Sequence, residues 1–99
     1  MALTIYWSKR ADRKFDEIIE YLEIEWGEAV VSALIKKVYD FLDILVEFPE
    51  IGSIENIERN IRGFVIVKQL TLFYKIKNNE IILLNFFDNR QNAIKRNKH

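Results

Sequence analysis

Along the first half of the chain apolar positions recur with a helical period, and along the second half they crowd into short runs. Ala11, Phe15, Ile18, Ile19 and Leu22 trace one helical face, with Arg13, Asp16, Glu17 and Glu20 opposite. Ser8 offers an N-cap hydroxyl ahead of this segment. Trp26-Gly27 closes it, because glycine takes a positive φ at little steric cost. A second helix is predicted from about Glu28 to Glu47, with Val30, Leu34, Val38, Phe41, Leu45 and Phe48 as its main stripe. Val31, Ile35 and Leu42 widen the stripe, which suits packing on both the first helix and a sheet. Phe48-Pro49 ends this helix, since a residue before proline is pushed out of helical space. Glu50-Ile51-Gly52-Ser53 reads as the turn that follows, and Ile54 to Asn60 as an irregular lead into what comes next.

Strand-favouring residues then fill Ile61–Val67, Leu70–Lys77 and Glu80–Phe87, separated by polar breakers. Asn78-Asn79 suits a tight hairpin, because asparagine tolerates the positive φ of primed turns. Ile81 to Phe87 is apolar except at Asn85, the pattern of a central strand covered on both faces. On the first of the three strands, Ile61, Gly63, Val65 and Val67 share one face and Arg62, Phe64, Ile66 and Lys68 the other. Leu3 to Trp7 is a further short strand by residue type. Each helix has a wet face and the sheet needs a cover. The expected fold is therefore an α+β two-layer sandwich: a strand, a helix hairpin, then a three-stranded antiparallel meander.

Ninety-nine residues suffice for one domain, expected to span 1–99, and 49% hydrophobic content supports a compact core. No cysteine is present, so disulfides and thiolate chemistry are excluded and a reducing compartment is permitted. No signal peptide and no apolar run near the ~20 residues of a membrane span are visible, so a cytoplasmic setting is expected. Net charge is zero, yet residues 1–58 hold six cations against thirteen acids while residues 59–99 hold nine cations against two acids. That split predicts an acidic helical layer opposed to a basic sheet layer. A basic layer suits nucleic acid or an acidic protein segment; its cations also suit an ordinary solvated face.

Most catalytic equipment is missing. The one histidine is His99 at the very end, and the three glycines are scattered, so Ser–His, Cys–His and phosphate-loop arrangements are excluded. No cofactor and no metal are implied. Acid pairs such as Glu17 with Glu20 read as solvated helix faces ahead of an acid/base couple. The remaining candidates are Arg62, Lys68, Tyr74, Arg90, Lys95 and Arg96. Arginine can clamp phosphate bidentately, and lysine serves as a base when its pKa falls. Tyr74, between Leu72 and Ile76, reads as core. Trp7 and Trp26 flank the first helix and either pack on its ends or line a groove for a partner peptide.

Several strings, in order, resemble a known family. They are Trp7-Ser8 with Ala11 and Phe15, Ile18 with Tyr21-Leu22, Trp26-Gly27, Phe48-Pro49 with Gly52, Ile61-Arg62, and Phe87-Asp88-Asn89-Arg90-Gln91-Asn92. Together they resemble the RelE/ParE superfamily of toxins from bacterial type II toxin–antitoxin operons, and within it the ParE-like, plasmid stabilisation branch. The resemblance implies a growth-inhibiting toxin neutralised by a cognate antitoxin. RelE-type relatives cut mRNA on the ribosome; ParE-type relatives poison DNA gyrase. Arg62 matches the family's arginine on the first meander strand, Arg90 the one after the last strand, and Lys68 a basic position. If the chain were a metal-independent, ribosome-dependent endoribonuclease, these three would be the catalytic set. A target- or antitoxin-binding surface is expected to comprise Arg62, Phe64, Lys68, Arg90, Lys95 and Arg96. No tyrosine follows Arg90, Ala93 replaces a frequent proline, and the chain is neutral. The gyrase-binding reading therefore leads, ahead of the mRNA endonuclease and of a degenerate toxin that keeps only antitoxin binding. Without an antitoxin, the same surface suits a homodimer.

Overall fold

The computed structural model describes residues 3–89. Strand β1 (Thr4–Trp7) leads into helix α1 (Lys9–Trp26) and helix α2 (Glu28–Glu47). Strands β2 (Ser53–Asn56), β3 (Ile61–Val67), β4 (Leu70–Lys77) and β5 (Glu80–Asp88) follow. The strands form one sheet in the order β1-β5-β4-β3-β2, and both helices pack on one of its faces. This is the expected α+β sandwich.

The local signals translate directly into geometry. The Ser8 hydroxyl accepts from the Ala11 amide at 3.0 Å, satisfying one of the free donors at the start of α1. Gly27 takes φ 88° and its amide bonds Glu23 O at 3.0 Å, so one glycine ends α1 and allows α2 to begin immediately. Asn78 takes φ 58° in the two-residue β4–β5 turn. Between the layers lie Ala11, Phe15, Ile18 and Leu22 from α1, and Val31, Val38, Phe41, Leu42 and Leu45 from α2. They meet Leu70, Leu72, Tyr74, Ile81, Leu83 and Phe86 from the sheet. Trp7, Phe15 and Phe86 form a contiguous aromatic group, with ring centroids 5.0–5.5 Å apart.

Three local expectations are corrected. Residues 53–56, read as turn and loop, form edge strand β2, because Ser53 and Ile54 pair with Gly63 and Arg62. β5 lies between β1 and β4 as a central strand, yet only its Ile81, Leu83, Phe86 and Asp88 side is buried by the helices. Ile82, Leu84 and Phe87 are half-buried on a sheet face that carries no helix. An extra residue, Leu84, is inserted where Phe73 pairs with Asn85 and Tyr74 with Leu83, so Phe86 and Asp88 face the helices where strict alternation from Ile81 would turn them away. On α2 the buried stripe is rotated, so Val30 and Phe48 are 47% and 65% exposed. The first segment is a strand as expected, and β1 pairs with β5 in parallel as an edge of the meander's sheet.

Candidate partner-binding surfaces

The face of β3 that carries Arg62 and Phe64 looks toward the helices. Phe64 stacks on Phe41 of α2, with centroids 4.3 Å apart and ring planes 18° apart, so its ring packs against the core rather than standing on an open surface. Arg62 is opposite Tyr74 on β4, and the two side chains together hold the chain between α2 and β2. The Tyr74 hydroxyl donates to Pro49 O at 2.8 Å and accepts from the Gly52 amide at 2.9 Å. The Arg62 guanidinium donates through one nitrogen to Gly52 O at 2.8 Å and to Glu50 O at 3.2 Å. Residues 49–52 are thus pinned at three carbonyls and one amide. Gly52 must be glycine here: a Cβ would lie 2.7 Å from the Tyr74 hydroxyl and 2.9 Å from Gly63 O. Burial pushes the Tyr74 phenol above its ordinary value of 10.0; the Gly52 amide and the Arg62 charge oppose the rise, and Glu50 adds to it.

Lys68 sits in the β3–β4 turn, at the other end of β3 from Arg62. Six residues of strand separate them by about 20 Å. The structure therefore does not bring Arg62 and Lys68 together. Arg90, Lys95 and Arg96 lie outside the described residues. The last described residue, Asn89, bonds the Lys68 turn: its amide donates to Gln69 O at 2.7 Å, and its side chain donates to Thr71 Oγ1 at 3.0 Å and Lys68 O at 3.3 Å.

Two surfaces lie outside the expected binding set. The first is an apolar groove of about 220 Å³ at the tip of the helix hairpin, where Leu22, Trp26 and Val30 face Val67 and Leu70 of the sheet. Trp26 is 57% exposed there, so it lines a groove rather than packing away at the helix end. The glutamates nearby in sequence, Glu23, Glu25 and Glu28, are exposed. The second is cationic. Arg10, Arg13 and Lys14 occupy the first turns of α1 and line a cleft with Asn85 of β5. Their crowding was visible in the chain, where four of the six cations of residues 1–58 fall within Lys9 to Lys14. The summed −7 of that half concealed it. No helix among the described residues is long and apolar enough to cross a membrane.

Residues 5–93 match the family model of the ParE toxin of type II toxin–antitoxin systems, parDE. The chain belongs to the ParE toxin family. Solved structures share the fold. A chain of the chromosomal ParDE toxin–antitoxin system from P. aeruginosa aligns with TM-score 0.74 and 12% identity, over 88% of this chain and 96% of that one. A copper-bound point mutant of a toxin from Helicobacter pylori aligns with TM-score 0.60 and 16% identity, over 90% and 97%. A conserved hypothetical protein from the same organism, solved in solution, aligns with TM-score 0.57 and 19% identity, over 89% and 96%. No curated protein matches the chain in sequence. As a ParE-family member it is a toxin component, and the ParDE context supports an antitoxin as its partner.

Proposed function

We propose that this ParE-family chain inhibits growth in the cytoplasm by binding a protein target, DNA gyrase, and that a cognate antitoxin silences it by covering its apolar groove. The observation that carries the reading is the groove at the hairpin tip, where Trp26 and Val30 remain exposed beside Leu22 and Leu70. A rim of that kind binds protein side chains through apolar anchors. The engagement of Arg62 adds support. Its guanidinium bonds two loop carbonyls, which reduces its freedom to clamp a phosphate during RNA cleavage.

A supercoiling assay with purified chain and gyrase tests the target. Loss of supercoiling, restored by stoichiometric antitoxin, is expected; full supercoiling at large toxin excess refutes gyrase as the target. Primer extension on mRNA from induced cells distinguishes the endonuclease reading, which requires codon-positioned cuts. Unchanged growth on overexpression, despite tight antitoxin binding, would identify a degenerate toxin.

A further inference from the structure

Arg10, Arg13 and Lys14 stand at i, i+3 and i+4, so all three project from one face of α1. None of them has an ion-pair or hydrogen-bond partner among the described residues, although like charges at this spacing repel each other. They border a polar cleft of about 300 Å³ against Asn85, which Glu17 also lines, so three cations face one carboxylate there. A second cleft, of about 540 Å³, shares Arg10 and Asn85 and continues across the helix-free sheet face, where Phe73, Arg59 and one carboxylate, Glu55, line it. The β5 bulge joins the two. Leu84 is the inserted residue, the Ser8 hydroxyl donates to Leu84 O at 3.3 Å, and Asn85 is thereby set beside Phe73. Gly63 lets the Phe73 ring lie close over β3, since a Cβ there would meet the ring at 3.1 Å. The Asn85 side-chain oxygen is buried and has no partner among the described residues.

We propose that this double cleft is a binding site for single-stranded nucleic acid, with Arg10, Arg13 and Lys14 holding the phosphodiester backbone and Phe73 stacking on a base. It goes beyond the proposed protein target and stands whether or not gyrase is inhibited. Unpaired cations beside an accessible aromatic ring form the combination that binds single strands without sequence preference. Phe73 decides between this ligand and an acidic peptide. Every nucleobase offers a flat π face that stacks on such a ring, whereas carboxylate side chains have none.

The test is fluorescence anisotropy of a labelled oligothymidylate of about ten nucleotides with the full chain, titrated across salt concentrations. Three neutralised phosphates predict a log–log salt slope of about −2. Arg10→Ala with Arg13→Gln should weaken binding at least about tenfold and flatten that slope. Phe73→Leu should weaken binding about fivefold or more and leave the slope unchanged, separating stacking from charge. Lys36→Glu, on exposed α2 surface, is the control and should leave binding unaltered, with circular dichroism confirming that each variant is folded. Should Arg10→Ala with Arg13→Gln prove unfolded, Arg10→Ala alone carries the test and should still lower the slope. Absence of saturable binding at low salt overturns the proposal. Equal loss in the Lys36→Glu control also overturns it, as does displacement by polyglutamate as effective as by unlabelled oligothymidylate.

Discussion

Replacing Tyr74 by phenylalanine isolates one buried hydroxyl while keeping the ring and its packing. The hydroxyl makes two bonds, to Pro49 O at 2.8 Å and from the Gly52 amide at 2.9 Å. Such a bond is worth about 1 kcal/mol net when the group left behind can turn to water, whereas a buried donor left unpaired costs about 1–3 kcal/mol instead. The Gly52 amide is buried and incurs that penalty, whereas Pro49 O is only partly buried and can turn to water. The expected loss is therefore about 2 kcal/mol, which for a chain of this length lowers Tm by roughly 8–16 °C. Urea unfolding followed by tryptophan fluorescence measures it, with the m-value unchanged. Because Arg62 holds Gly52 O while Tyr74 holds the Gly52 amide, Tyr74→Phe and Arg62→Ala should be non-additive in a double-mutant cycle, by about 0.5 kcal/mol or more. A loss under about 0.5 kcal/mol for Tyr74→Phe, or strict additivity, would refute the account of residues 49–52 as a jointly pinned loop.

The same contacts set further outcomes. The folded-state pKa of Tyr74 lies above 10.0, so unfolded chains release the proton first; stability should hold below pH 10.0 and fall as pH rises through the folded-state value. Lys36 is also raised, by Asp40, so the alkaline slope should be compared between the wild-type chain and Tyr74→Phe, which both keep that pair. Ser8→Ala removes the α1 cap and the bond to Leu84 O and should cost about 1 kcal/mol in chemical denaturation. Gly52→Ala drives a methyl against the Tyr74 hydroxyl and Gly63 O and should destabilise by about 1–3 kcal/mol, less in a Tyr74→Phe background, as read from urea midpoints. Trp26→Ala should leave the urea midpoint nearly unchanged, because the residue is 57% exposed, and weaken antitoxin binding tenfold or more by calorimetry (about 1.4 kcal/mol).

What the residues determined by themselves was whatever depends on neighbours within a few positions. The Ser8 cap, the glycine between the helices, the proline after α2 and the Asn78 turn were legible because capping, φ preference and side-chain clash act locally. The family strings spanned these same signals. Tertiary structure decided the rest. Whether β5 is covered on one face or two depends on where the helices land, and an inserted Leu84 breaks the alternation that sequence reading assumes. Four exposed residues become strand β2 only because β3 presents a free edge. Arg62 looked like a cation for a partner, yet its charge is used on carbonyls twelve and ten residues earlier in the chain. The clustered cations of α1 gain a cleft only when a bulge in the last strand, far along the chain, sets Asn85 beside them. A side chain's chemistry is written in its type, but its partners are chosen by contacts between residues far apart in sequence, which no local pattern encodes.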